Sequence, residues 1–138
     1  MMFGNVYQGK KILITGHTGF KGTWLTFWLL QLGAKVVGVS NKIPTKPSMF
    51  KVLGLKKKIK HLTIDIRNLN DFTKIISREK PDFIFHLAAQ AIVSNSFKDP
   101  INTISSNVMG TANLLESLRI LNNRCTVILI TSDKVYDM

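Results

Sequence analysis

The run Lys11 to Thr15 (KILIT) passes straight into Gly16, Gly19 and Gly22, and a stretch of helix length follows. Few features restrict a fold as tightly. The short apolar run with its isoleucines predicts a buried strand. Residues 20–32 (FKGTWLTFWLLQL) predict a helix, with Trp24, Leu25, Trp28, Leu29 and Leu32 along one side and Gly33 as the stop. Glycines at the junction tolerate the turn and leave no side chain to keep a phosphate away from the backbone. The helix start then offers free N–H groups and the positive end of its dipole. A G-x-x-G-x-x-G spacing on strand, turn and helix predicts a dinucleotide-binding loop. No Gly-Lys-Ser/Thr closes it, so it is not a triphosphate P-loop.

The rest of the chain keeps the same alternation. Residues 35–40 (KVVGVS) predict a second strand, and Asn41 to Ser48, with Pro44 and Pro47, a loop. His61 to Ile66 predicts a third strand. Asn68 to Lys80 predicts a helix with Leu69, Phe72, Ile75 and Ile76 inward. Asp82 to Leu87 predicts a fourth strand. Asp99-Pro100 is a capping acid before a first-turn proline. From there Ile101, Ile104, Val108, Ala112, Leu115 and Leu118 recur at helical steps, predicting one long helix to about Leu121 with a second stripe (Leu114, Leu121) exposed. Residues 126–131 (TVILIT) predict a fifth strand. Apolar strands alternating with helices imply a Rossmann-like, doubly wound parallel sheet covered on both faces.

With 138 residues, 45% of them hydrophobic, the chain can bury a core, which excludes disorder. Cys125 is the only cysteine, so neither a disulfide scaffold nor a zinc ribbon is available, and His17, His61 and His86 lack ligand spacing. No run of apolar residues is long enough for a membrane span, and Met1 to Lys11 lacks a secretory core. A reducing, cytoplasmic setting and no membrane partner are expected. The net charge of +11 is one-sided: residues 1–64 hold eleven lysines and no acid, while later basic and acidic residues cancel. This implies an anionic partner or a solvated lysine face. The run Lys56, Lys57, Lys58, Lys60 has no interleaved aromatics to stack bases, which argues against nucleic acid.

Thr15-Gly16-His17-Thr18-Gly19-Phe20-Lys21-Gly22 resembles the glycine motif of the extended short-chain dehydrogenase/reductase superfamily, NAD-dependent epimerase/dehydratase type. With Thr23-Trp24-Leu25 it closely resembles the CDP-glucose 4,6-dehydratase group. Further matches follow in order: Pro44-Thr45, Pro47-Ser48 and Phe50; Asp65-Ile66-Arg67; His86-Leu87-Ala88-Ala89-Gln90; Asn107-Val108-Met109-Gly110-Thr111; and Thr131-Ser132-Asp133-Lys134.

That resemblance implies a loop of Gly16, Thr18, Gly19, Phe20 and Gly22 beneath NAD, with Lys21 near the phosphates or simply solvated. It implies Asp65 and Ile66 beside adenine, Leu87, Ala88, Ala89 and Gln90 along the cofactor, and Asn107 holding groups near the active site. No metal is implied. His17 and His86 are expected to be structural. In such dehydratases a hexose loses hydride from carbon 4 to NAD, water is lost across carbons 5 and 6, and hydride returns to carbon 6. The resemblance implies that Ser132 orients the carbon 4 hydroxyl, Asp133 protonates the departing hydroxyl and Lys134 takes the carbon 5 proton. Lys134 would have to be neutral. The long helix would pair with its copy in a homo-oligomer.

Two departures stand out. The superfamily's Tyr-x-x-x-Lys pair is expected on the helix after the fifth strand, and Tyr136, close to the end of that strand, has no lysine four residues on. Residues 1–138 are therefore expected to be the N-terminal part of an NAD(P)-binding Rossmann domain, without the substrate domain and inactive alone. Ser40, Asn41 and Lys42 stand where an acid would grip the ribose of NAD, which leaves NADP open. The rival readings are another nucleotide-sugar epimerase or dehydratase, and a non-catalytic dinucleotide- or nucleic-acid-binding module.

Overall fold

The computed structural model describes residues 2–132. Its elements are β1 (Lys11–Thr15), α1 (Phe20–Gln31), β2 (Lys35–Ser40), α2 (Met49–Val52), β3 (Lys60–Thr63), α3 (Leu69–Glu79), β4 (Phe83–His86), α4 (Val93–Lys98), α5 (Pro100–Ile104), α6 (Gly110–Leu118) and β5 (Thr126–Leu129). All five strands are parallel, in the order β3-β2-β1-β4-β5. The chain starts at the centre of the sheet, winds outward to β3, crosses back and winds out to β5. Such a reversal places helices on both faces and opens a crevice at the carboxyl ends of β1 and β4. The expected Rossmann-like sheet is present.

Strand parity divides the core in two. Ile12, Ile14 and Val36 face α1, together with Leu29, Ala34 and the half-buried Phe83 and Phe85. Leu13, Val37, Val39 and Ile84 face the other way, against Phe72, Ile75 and Ile76 of α3 and Leu114 of α6. The Asp99 cap works as read, accepting from the Asn102 amide, and Asn68 caps α3 in the same way, accepting from the Asp71 amide.

The helix faces differ from the sequence reading. In α1 the buried residues are Gly22, Thr23, Thr26 and Leu29, while Trp24 and Trp28 are 52% and 47% exposed. Small residues let the helix lie close under the glycine loop, so the bulky aromatics are turned outward. In α6 Leu114 is fully buried and Leu121 packs against the core, whereas Ile101, Ile104, Val108 and Leu115 are exposed. Leu118 of the expected inward stripe does pack against the core, but otherwise the two stripes of the long helix are exchanged. A π-turn at Ser105–Met109 separates α5 from α6 and breaks the simple periodicity. The short helices α2 and α4 have no apolar period, and the sequence did not announce them.

Candidate functional site

The glycine loop assigns a separate task to each glycine. Gly16 has φ +75°, and a Cβ there would lie 2.8 Å from the Ala88 nitrogen. At Gly22 a Cβ would meet the Gly16 carbonyl, so this glycine lets α1 pack onto the loop. Gly19 caps the helix in an extended conformation, and a Cβ there would meet only the Gly16 oxygen, at 3.3 Å. Gly16 makes the turn, Gly22 permits close helix packing, and Gly19 leaves the approach to α1 open. No side chain caps the first turn of α1, and no acidic residue stands in it. Its amides are open to an external anion.

Thr18 is buried and turns away from that opening. Its hydroxyl donates to the Lys42 carbonyl at 2.7 Å and lies 3.0 Å from the Ser40 hydroxyl, tying the loop to the end of β2. Phe20 is 74% exposed at the mouth, beside the exposed Lys21. Asn41 and Lys42 are also exposed.

Asp65 is clasped by its neighbour. Arg67 donates from its amide and from its guanidinium, including Nε to Oδ1 at 2.9 Å. These hydrogen bonds, against the opposing effect of burial, hold the carboxyl below its usual range. Ile66 is buried against Gly110, and Asn113 donates to the carbonyls of both Ile66 and Arg67. The loop after β3 is therefore fastened to α6.

Beyond β4, Leu87, Ala88 and Gln90 are half-buried and Ala89 is exposed. Asn107, inside the π-turn, accepts from the Gln90 amide at 2.7 Å and donates to the Gln90 carbonyl at 3.1 Å. That two-way bond gives a polar residue in an apolar helix its purpose. His86 is buried between Thr15 and Thr111, and burial lowers its imidazole to about 4. His17 is fully buried: its Nε2 lies 2.7 Å from His61 Nδ1, its ring edges onto Phe50, and its Nδ1 has no hydrogen-bond partner. Burial lowers His17 to about 4, against the pull of the Val39 backbone and helped by His61. Burial and the Lys56 charge lower His61 as well.

Gly16 thus brings the glycine loop against Ala88 at the carboxyl ends of β1 and β4, with Asp65 and Ile66 in the loop after β3. Ser132 is exposed beyond β5, while Asp133 and Lys134 lie outside the described residues. Sequence reasoning passed over four partners: Arg67 on Asp65, His61 on His17, and the pair Thr15 and Thr111 on His86. The last was visible in outline, since Thr15 and His86 each end a buried strand and Thr111 follows Asn107 by one helical turn. Among the described residues no helix is long and apolar enough to cross a membrane, and no cluster could hold a metal ion.

Known proteins share this sequence and fold. The chain is 44% identical over 137 residues to a CDP-glucose 4,6-dehydratase of Salmonella typhimurium, covering 99% of this chain but 38% of that protein. It therefore spans well under half the length of this curated relative. A UDP-glucose 4-epimerase of Thermotoga maritima, crystallised with UDP-glucose, superposes with TM-score 0.76 and 29% identity over 86% of this chain and 37% of its own. One from Thermus thermophilus, in complex with NAD, gives TM-score 0.70 and 29% identity over 79% and 33%. The family model described as GDP-mannose 4,6 dehydratase matches residues 13–137, and with that match over a complete glycine loop the chain belongs to this dehydratase family of the extended short-chain dehydrogenase/reductase superfamily.

Proposed function

We propose that this chain is the cofactor-binding portion of a nucleotide-sugar 4,6-dehydratase that works through NAD on CDP-glucose. Residues 1–138 form the N-terminal part of the NAD(P)-binding Rossmann domain in this reading. The observation that carries it is the start of α1: uncapped amides behind an open Gly19, facing the backbone after β4. Such donors fit a pyrophosphate. Gly16, Gly19, Phe20 and Gly22 hold the diphosphate side on a loop that Thr18 braces against β2, Asp65 and Ile66 flank adenine, and Leu87 to Gln90, steadied by Asn107, form the opposite wall. When bound, the nicotinamide supplies a hydride acceptor and donor. The Thermus epimerase is an NAD complex, which favours NAD, while the exposed Asn41 and Lys42 leave space for a 2′-phosphate.

The dehydratase chemistry falls to Ser132, Asp133 and Lys134 as orienting hydroxyl, acid and base. The 44% identity to a CDP-glucose 4,6-dehydratase supports CDP-glucose as substrate. An epimerase needs no Asp-Lys pair after the fifth strand, which favours dehydration. A second copy docks on the exposed Ile101, Ile104 and Val108 in this reading.

NADH fluorescence titration of the purified protein tests the crevice. Wild type is expected to bind, and Gly19→Val to bind at least about tenfold more weakly because the new side chain fills the approach to α1. Equal affinity in the two proteins would remove the cradle and the chemistry built on it. Binding to arbitrary DNA that weakens steeply with salt, without any response to NADH, would favour the nucleic-acid module instead.

A further inference from the structure

We propose that His86 is a positioning residue that sets the separation of the two crevice walls, holding the Leu87–Ala88 backbone against Gly16 through Thr15 and Thr111. The inference rests on the crevice being a dinucleotide site. It follows from counting hydrogens. The Thr111 hydroxyl donates to the Asn107 carbonyl at 2.7 Å, so towards His86 Nε2, at 3.1 Å, its oxygen can only accept. The Thr15 hydroxyl oxygen accepts from the Ala88 amide and shares the Leu87 amide with the Thr15 carbonyl, each at 3.1 Å. With both lone pairs engaged, its own proton goes to His86 Nδ1, at 2.8 Å. One arrangement satisfies every group: a neutral ring with its proton on Nε2. A second ring proton would find no acceptor.

The placement makes this more than core packing. Thr15 immediately precedes Gly16, and the two amides it receives immediately follow His86. Gly16 and Ala88 are where the walls touch, the nitrogen of Ala88 lying 2.8 Å from a Cβ built on Gly16. The same ring reaches the far side through Thr111 to the carbonyl of Asn107, whose side chain holds Gln90. His86 itself is only 4% exposed. It acts through Ala88 and Gln90.

Thr111→Val keeps the shape and removes the acceptor for Nε2–H, whereas Thr111→Ser restores it. Ser117→Ala is the control, since Ser117 also donates one turn back, to Asn113, but away from the crevice. NADH affinity, urea stability and the ring nitrogen shifts of His86 are read on each. Thr111→Val is expected to lose about tenfold in NADH affinity, the scale of one hydrogen bond at a binding wall, with Thr111→Ser near wild type. Ser117→Ala is expected to lose stability alone. If wild type binds NADH and Thr111→Val binds equally tightly, the positioning role is overturned and the crevice survives. A wild type that binds no nicotinamide dinucleotide overturns both. The nitrogen shifts of wild type need no variant, so they decide even if the valine protein does not fold. A proton on Nδ1, or a charged ring at neutral pH, overturns the proposal.

Discussion

Gly38 shows how far a single hydrogen atom can decide local structure. It lies inside β2, where glycine is normally a weakness. A Cβ there would meet the His17 ring, 2.4 Å from its Cδ2. His17 is fully buried and wedged between Gly38, Phe50 and His61, so it cannot retreat cheaply. Gly38→Ala is expected to cost about 1–3 kcal/mol of stability, read from the urea midpoint. An unchanged midpoint would mean the ring has room to move. The buried rings also fix an acid response. His17 and His86 protonate near 6.5 when unfolded but near 4 when folded. Between those values the unfolded chain holds more protons, so stability falls as pH falls through the window. Asp65 and Glu79, both held below their usual range, add losses of the same sign at lower pH. Urea midpoints at roughly pH 7 and roughly pH 4.5 are expected to differ clearly, and a flat profile would contradict the neutral rings.

At the scale of elements, the loop after β4 depends on a helix distant in sequence. Asn107→Ala removes two hydrogen bonds to the Gln90 backbone, of 2.7 and 3.1 Å. The expected cost is about 1–3 kcal/mol, because a half-buried amide loses its partner. Hydrogen exchange at Gln90 should quicken while the amides of β1 and β2 stay protected. Uniform acceleration would point to global loosening instead. Strand positions were legible because parallel, doubly covered strands are continuous apolar runs. Helix faces were not. Trp24 and Trp28 read as core by hydrophobicity, yet Gly22, Thr23 and Thr26 are what fit beneath the glycine loop. Closeness of approach, which periodicity does not measure, chose the buried side. The glycine loop was legible as a motif, but its division of labour needed neighbours such as Ala88 that stand far away in sequence.

For the whole molecule, the unbalanced part is the surface of α5 and α6. Ile101 is 75% exposed, Ile104 55%, Val108 58% and Leu115 48%. In the proposed function this apolar surface is the contact between copies. Val108→Glu is expected to change folding stability by less than about 0.5 kcal/mol, as surface substitutions do, yet to shift the protein towards monomer. Sedimentation velocity reads that shift. An identical oligomer distribution in both proteins would remove this face as the contact. Neither the exposure nor its extent could be read from the sequence, because most of the stripe that looked inward, Leu118 excepted, is turned to solvent.

That exchange returns to the π-turn at Ser105–Met109. A rod of α-helix advances about 100° per residue, so one surplus residue twists everything beyond it by that angle. Leu114 is thereby aimed at the sheet while Ile101 and Ile104, upstream, look elsewhere. Excising one residue from Ser105–Met109 would not merely shorten the rod. It would realign its two halves, so that anchoring the sheet and presenting the outer stripe could no longer be met together, and the amide group of Asn107 would swing off Gln90.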